Sequence, residues 1–203
     1  VTTAPKDLIR THGLFIGKKR TVLERAVALS QKKNIDFVES GIRKCVVYLD
    51  PKEFHSTWLG NKAVYRTRMA MADGGELLVL APGVRKFGED PECDRIIRKY
   101  GYCGRLCMLE LYRKNQDLMD NMGVAAHLIH GSSDGRFQIT YAVKEISREE
   151  IESVQFASAD YDEMIKKYDP RKLEYGYNRM PDGEEIFFVP NPALGLWIDR
   201  SKF

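Results

Sequence analysis

The sequence lacks any long apolar run. No stretch of its 203 residues approaches the roughly 18 consecutive apolar residues that a membrane-spanning helix requires. A basic segment followed by an apolar one, which marks a secretory signal peptide, does not open the chain. Hydrophobic residues make up 43% of the chain and charged residues 30%. This composition is typical of a globular protein, and we expect no membrane partner.

An excess of charge of either sign is also missing, and cysteine is scarce. The chain has 32 basic and 29 acidic residues, so its formal net charge of +3 does not indicate a nucleic-acid partner. The four cysteines show no paired spacing: Cys45, Cys93, Cys103 and Cys107. We therefore predict a reducing, cytoplasmic location, with Cys45, Cys103 and Cys107 as small buried side chains.

The signatures of several catalytic and nucleotide-binding sites are absent. The chain contains no Walker A, H-E-x-x-H or G-x-G-x-x-G segment. Residues 131–135 fit the G-x-S-x-G pattern of α/β-hydrolases, but a strand-like alternation follows them and no histidine occurs after His130. His127 and His130 have no third ligand nearby, which favours one packed and one exposed histidine over a metal site. We predict no catalytic nucleophile and no metal ligand in this chain.

The apolar residues that are present predict a β-α-β unit in the first half of the chain. Residues 45–49 and 76–81 are short apolar runs without alternation, the pattern of parallel strands that are covered on both faces. Between them, residues 61–73 follow a helical pattern, and Gly74-Gly75 is expected to end that helix. The unit therefore places a polar loop, residues 50–60, between a buried strand and a helix.

Further segments extend this pattern over the chain. Residues 136–143 alternate between polar and apolar side chains and predict a half-exposed strand. Ser147 and Glu150 have the spacing of a capping box, which begins another helix. Residues 185–189 are expected to form the final strand, and residues 1–19 an irregular lead-in. We predict a single α/β domain over residues 1–203, with a layered, largely parallel sheet and flanking helices.

The polar loop carries the best candidates for a ligand site. Open α/β sheets bind ligands where a strand ends and the next helix begins. Lys62 falls in the first turn of the predicted helix, where the helix dipole disfavours a cation by about 0.3–1 kcal/mol. A lysine beside free helix N–H groups would bind a carboxylate or a phosphate. The candidate substrate-binding residues here are Lys62, Trp58, Asn61, His55 and, one turn further on, Arg66.

The turn at residues 131–135 is a second candidate. Its glycines and the hydroxyls of Ser132 and Ser133 follow a probable strand, and backbone N–H groups in such turns can cradle an anion. A tight turn that binds nothing fits the same residues. Ser132 and Ser133 join the candidate substrate-binding residues on this basis.

Several segments resemble one enzyme family. The run from Asn61-Lys62-Ala63 to Gly74-Gly75 and the apolar strand after it is similar to the later, C-terminal domain of the nickel-pincer lactate racemase family. The stretches E-F-H-S-T-W-L-G-N-K, A-H-L-I-H-G-S-S-D-G-R-F and N-P-A-L-G-L-W resemble lactate-racemase-domain proteins of uncertain substrate. The similarity extends from about residue 35 onward.

The resemblance implies an isomerase of two domains. Members of the family invert a 2-hydroxy acid by hydride transfer at a pyridinium-derived pincer that carries nickel. The residues that hold this cofactor and exchange protons belong to the earlier domain, and they have no counterpart here. The resemblance therefore implies that the nickel-pincer nucleotide belongs to a full-length protein and that this chain alone holds no cofactor.

The resemblance also assigns one residue of this chain. Lys62 matches the family's helix-opening lysine, which faces the substrate, whereas Leu59 stands where the family often has glutamine. We expect the domain to form one wall of an interdomain site for a 2-hydroxy acid or sugar acid and to be inactive alone. The alternative is a non-enzymatic module that binds a small anion or a sugar phosphate. Nothing in the sequence indicates an oligomeric state.

Overall fold

The computed structural model describes residues 1–3 and 8–203. Residues 4–7, within the predicted irregular lead-in, lie outside the described residues. The strands are β1 (Thr2–Thr3), β2 (Arg10–Thr11), β3 (Asp36–Val38), β4 (Ile42–Tyr48), β5 (Met71–Ala81), β6 (Gln138–Val143), β7 (Ala157–Asp160), β8 (Gly176–Arg179), β9 (Glu185–Val189) and β10 (Trp197–Asp199). The helices are α1 (Arg20–Asn34), α2 (Thr57–Gly60), α3 (Lys62–Thr67), α4 (Pro91–Tyr100), α5 (Arg105–Lys114), α6 (Gln116–Asp120), α7 (Met122–His130), α8 (Arg148–Ser153) and α9 (Tyr161–Lys167).

A six-stranded sheet organises these elements, in the order β7-β6-β5-β4-β9-β8. Every neighbouring pair is parallel except β8 and β9, which form an antiparallel pair at one edge. Two small sheets accompany it: β3 pairs with β10 in parallel, and β1 pairs with β2. The predicted α/β class, with a largely parallel sheet and flanking helices, is confirmed.

The central strands carry the core because both of their faces are covered. Along β4, Cys45 and Val47 belong to one buried cluster, and Val46 between them belongs to the cluster on the opposite face. Each fully buried aliphatic side chain contributes about 1.5–3 kcal/mol to folding. The absence of alternation in this strand follows directly from its two covered faces.

The connection between β4 and β5 differs from the prediction. Two short helices, α2 and α3, replace the single long helix, and Gly74 and Gly75 lie inside β5. At this point the register shifts, since Ile42 pairs with Met71 but Lys44 pairs with Glu76. A Cβ on Gly75 would lie 2.9 Å from the Arg43 carbonyl oxygen. The glycine pair therefore marks a bulge in a strand rather than the end of a helix.

The structure confirms the predicted capping box and corrects two predictions about strands. The capping box is present, because Glu150 N donates to Ser147 Oγ (3.2 Å) and Ser147 N donates to Glu150 Oε2 (3.1 Å). Strand β6 exists, but it is buried from Ile139 to Val143 rather than half-exposed, because both of its faces are covered: Tyr141 belongs to one buried cluster and Ala142 to the other. Strand β9 is not the last strand, because β10 follows it and pairs with β3.

The cysteine prediction is partly wrong. Cys45 is fully buried, as expected. Cys103 and Cys107, however, form a disulfide across the start of α5, with Cα atoms 5.8 Å apart. Cys103 is half-buried and packs against the edge of the core, whereas Cys107 is exposed, because Met108 is the residue of α5 that turns fully into the core. In the described part of the chain, no helix combines the length and the apolar character of a membrane span.

Candidate functional site

Two loops meet at the carboxyl end of the sheet and form one surface. The loop after β4 and the loop after β5 run in parallel, with an isolated bridge between Ser56 and Lys86. Thr57 N donates to the Lys86 carbonyl oxygen (3.1 Å), and Trp58 N donates to the Phe87 carbonyl oxygen (2.8 Å). These bonds fix the start of α2 against the neighbouring loop. This is the edge at which open α/β sheets bind ligands.

Helix α4 holds the second loop in place. Asp94 Oδ1 accepts hydrogen bonds from Phe87 N (2.7 Å) and Gly88 N (3.0 Å), and Asp94 Oδ2 accepts one from Arg98 Nε (2.6 Å). Burial opposes ionisation of Asp94, yet Arg98 and the two backbone N–H groups hold its pKa below the ordinary value. An ionised carboxylate thus clamps the loop to the helix.

Lys62 opens α3, as the sequence indicated, but the helix start differs from the expected one. Helix α3 follows α2 directly, and the N-cap side chain is that of Ser56, which accepts from Leu59 N (3.2 Å). Asn61 N donates to the Thr57 carbonyl oxygen (2.8 Å), and Val64 N donates to the Asn61 carbonyl oxygen (2.9 Å). Anion binding here would therefore depend mainly on the lysine charge rather than on free N–H groups.

The ammonium group of Lys62 lies beside the loop that follows β4. Its Nζ is 5.8 Å from the centre of the Phe54 ring, a distance that allows a cation–π contact. Lys62 makes no salt bridge with any carboxylate in residues 1–3 or 8–203. His55, next to Phe54, has a buried Nδ1 without a hydrogen-bond partner among the described residues. The edge thus presents a positive charge that no carboxylate of the described residues neutralises.

Asn61 and Trp58 point into the protein. Asn61 is 0% exposed, and its Oδ1 accepts from Tyr141 Oη (2.7 Å). Its Nδ2 faces Gly131, where a Cβ would lie 2.4 Å away, and has no hydrogen-bond partner in the described structure. The Trp58 indole stacks on the His127 ring, with ring centres 4.2 Å apart. Asn61 and Trp58 therefore lie beneath the surface that the two loops form, and their buried contacts hold it in place.

A chain of hydrogen bonds lies under the same surface. Thr57 Oγ1 donates to the Phe87 carbonyl oxygen (3.0 Å), so it must accept from Tyr102 Oη (3.0 Å). The Tyr102 oxygen is then free to accept from His127 Nε2 (3.0 Å). These donor and acceptor roles place a proton on the Nε2 of His127. Burial raises the pKa of Tyr102, which keeps its phenol protonated.

The other predicted residues do not join Lys62. Arg66 Nη1 donates to the Gly195 carbonyl oxygen (3.4 Å), which directs the guanidinium toward the turn before β10. Ser132 is buried, and its hydroxyl donates to the Ile129 carbonyl oxygen (3.0 Å). Ser133 is half-buried in the same turn. This turn ends α7, not a strand, because residues 122–130 are helical.

The expectation of one packed and one exposed histidine is confirmed, with His127 buried and His130 exposed. The buried partners Tyr102 and Tyr141 escaped prediction because they lie far from Asn61 in the sequence. Tyr141 offered one signal: a phenol inside a buried strand needs a hydrogen-bond partner.

The titration of His127 predicts a pH-dependent stability. Burial, together with the charge of His130, lowers the pKa of His127 to about 4 from an ordinary value of 6.5. Between these values the unfolded chain binds a proton that the native chain does not, so the free energy of unfolding decreases as the pH falls. The full loss is about 3 kcal/mol at pH values below the lowered pKa.

Urea unfolding across this pH range measures the effect. A His127→Gln variant should show a flatter dependence of stability on pH, whereas the exposed control His130→Gln should retain most of the native slope. Equal slopes for the wild type and His127→Gln would contradict the assigned burial of a neutral imidazole.

The described residues offer no place for a metal ion. Among residues 1–3 and 8–203, no group of three or more His, Cys, Asp or Glu side chains has a metal-binding arrangement. The two unsatisfied nitrogens, on His55 and Asn61, are not part of such a group. The described residues therefore do not fit a nickel site by themselves.

Two solved structures have a fold similar to that of this chain. No family model and no curated protein matches the chain. A protein of Thermotoga maritima known from its crystal structure is similar, with a TM-score of 0.63, 22% identity, and coverage of 87% of this chain and 41% of that chain. The lactate racemase apoprotein of Thermoanaerobacterium thermosaccharolyticum gives a TM-score of 0.57 at 10% identity, covering 88% of this chain and 40% of that one.

These similarities concern fold and length. The chain spans about two fifths of each of the two solved chains. At such low identities, structural similarity shows a shared fold and leaves function to be argued from the site. The chain therefore has a lactate-racemase-like α/β fold.

Proposed function

We propose that this chain is the C-terminal domain of a longer racemase or epimerase that acts on a 2-hydroxy acid or a sugar acid. Its carboxyl sheet edge would form one wall of the substrate site, against a second domain of the same protein. The observation that carries the proposal is the ammonium group of Lys62, which stands at this edge without a carboxylate partner in the described structure. The lactate-racemase-like fold supports the same reaction class.

Each candidate residue of the chain would have its own role in binding or positioning the substrate. Lys62 binds the substrate carboxylate, and the contact with Phe54 holds its side chain at the edge. Because the Nδ1 of His55 is buried, a contact between His55 and a substrate hydroxyl would use the other ring nitrogen, Nε2. Asn61 and Trp58 are buried or stacked and act as positioning residues, because Tyr141 and His127 hold them.

The inversion of the carbon centre would require chemistry from outside this chain. The nickel-pincer nucleotide supplies hydride transfer in lactate-racemase-like enzymes, and we assign it to the second domain. The contribution of this chain is then to hold the substrate anion in a fixed orientation, which lowers the entropy cost of reaction.

We also propose that the protein is located in the cytoplasm. The redox state of Cys103 and Cys107 in cells tests this location, because a reducing compartment would keep both cysteines as free thiols.

An isomerisation assay tests the proposal. A full-length protein carrying this domain, loaded with nickel and the pincer cofactor, is expected to interconvert the enantiomers of at least one 2-hydroxy acid or the epimers of one sugar acid, measured by chiral chromatography. The 203-residue chain with the same additions should show no turnover. Turnover by the chain alone, or none by the full-length protein, would overturn the proposal.

A binding measurement separates the alternative function. NMR titrations of the chain with a 2-hydroxy acid and with a sugar phosphate compare the two ligand classes directly. Stronger binding of the sugar phosphate, with shifts centred on residues 131–135, would favour a non-enzymatic binding module. Shifts near Lys62 with the 2-hydroxy acid support the racemase proposal.

A further inference from the structure

A second concave surface lies away from the candidate site. A groove of about 760 Å³ runs between β3 and the antiparallel pair of β8 and β9. Strand β9 is parallel to β4, and Glu185 is its first residue, so this part of the groove faces the amino edge of the sheet. The loops around Lys62 lie at the opposite, carboxyl edge. The volume falls within the range of small-molecule sites, roughly 300–1,000 Å³.

Aromatic rings form the walls of this groove. Phe187 is buried, and both Tyr175 and Tyr177 meet its ring edge-on, with ring centres 5.9 and 5.1 Å away. Each tyrosine is 53% exposed, so each presents a ring face or edge to solvent. The Tyr175 hydroxyl accepts from Trp197 Nε1 (2.8 Å), which fixes the ring in place. Two accessible tyrosine rings therefore flank the buried ring of Phe187.

The remaining wall is acidic. Asp36, Glu39 and Glu185 line the groove, and all three are exposed. Two of these carboxylates act on the tyrosine hydroxyls. Burial raises the pKa values of both tyrosines, and Asp36 raises that of Tyr175 further, as Glu185 does that of Tyr177. Arg200 is the single basic residue among the groove's lining residues. The groove thus has a negative balance in a chain whose formal net charge is +3.

Arg200 shows what kind of group this surface accepts. Its guanidinium carbon is 5.0 Å from the centre of the Phe37 ring, and its Nη2 is 3.1 Å from Glu39 Oε1. The cation is therefore held by an aromatic face and a carboxylate together. Tyr177 and Glu185 repeat this pair of groups on the β8–β9 pair, where the exposed Arg179 lies directly opposite Glu185 but makes no salt bridge with it in the described structure. Aromatic faces beside carboxylates attract organic cations.

We propose that the groove between β3 and the β8–β9 pair binds a small organic cation of the guanidinium or ammonium class. The side chain of Arg200 already fills one half of the groove, where it takes the place of such a cation. The ligand would place its charge against Glu185 and the ring of Tyr177. Removal of Arg200 would open the Phe37 face and the Glu39 carboxylate to the same ligand. This site does not depend on the function proposed for Lys62.

The chain provides its own reporters for a test. It has two tryptophans, and the indole N–H of Trp197 is bonded to the groove residue Tyr175, whereas Trp58 lies with His127 at the other site. Titration of the 203-residue chain with N-ethylguanidinium, followed by NMR, should shift the Trp197 indole signal and leave that of Trp58 unchanged. N-ethylurea, which has the same shape without the charge, should give no saturable shift.

Variants sharpen the test. Tyr177→Ala and Glu185→Gln should each weaken binding by about two- to fivefold, whereas Tyr177→Phe should preserve it. Arg200→Ala should strengthen binding by about two- to fivefold, which a merely structural arginine would not do. The Lys62→Ala variant should bind as the wild type does.

Three results would overturn the proposal. One is the absence of a saturable Trp197 shift in the wild type and in Arg200→Ala. Another is equal binding of N-ethylurea, and the third is weaker binding by a folded Arg200→Ala variant.

Discussion

Replacement of Lys62 by alanine in a full-length protein that carries this domain is expected to lower kcat/KM for its 2-hydroxy acid substrate by about 10- to 100-fold. The variant loses a hydrogen bond between two charged groups, which contributes about 1.5–3 kcal/mol. Because Lys62 makes no salt bridge in the described part of the chain, the stability of the fold should change little. Steady-state kinetics and thermal unfolding measure the two effects separately.

Lys52→Ala is the matched control for this experiment. Lys52 is an exposed residue of the loop between β4 and α2, and its loss changes the net charge equally. It should leave kcat/KM within about twofold of the wild-type value, as expected for a distant surface charge. A Lys62→Ala enzyme with wild-type kinetics would remove Lys62 from the site.

Replacement of Gly88 by alanine is expected to destabilise the fold by about 3 kcal/mol. A Cβ at this position would lie 2.2 Å from Asp94 N and 2.6 Å from the Cys93 carbonyl carbon. Both atoms are backbone at the start of α4, so the loop and the helix must separate. The separation would also strain the bonds from Phe87 N and Gly88 N to Asp94.

Gly123→Ala is the control for Gly88→Ala. Gly123 lies in α7, and a Cβ there would have no heavy atom within 4 Å, so alanine should stabilise the helix by about 0.5–1 kcal/mol. Urea unfolding followed by circular dichroism compares the two variants. If Gly88→Ala were as stable as the wild type, the close approach between this loop and α4 would be wrong.

The positions of the main elements follow from local patterns. The apolar run at β4, the capping box at Ser147 and the polar loop before Lys62 each contain enough information to be assigned alone. The glycine pair at residues 74 and 75 does not, because glycine permits both a helix end and a strand bulge. The choice depended on the register between β4 and β5, which is a long-range property.

In the candidate site too, some features were predictable from nearby residues, whereas others depend on residues far away in the sequence. Lys62 was predictable because its place after a strand and at a helix start is set within a few residues. The inward direction of Asn61 was not, since it depends on Tyr141, which is 80 residues away in the sequence. The hydroxyl of Ser132 turned out to face the Ile129 carbonyl, a contact inside one helix turn that the glycine-rich pattern did not reveal.

The sequence by itself determined the α/β class, the buried parallel strands, and the polar loop before Lys62, because these depend on periodicity and on residues that are close along the chain. Only the tertiary structure decided which side chains share a surface. It placed Trp58 on His127, joined β3 to the distant β10, and formed the aromatic groove from segments separated by about 140 residues. Such contacts arise when the core closes, and no local pattern encodes them.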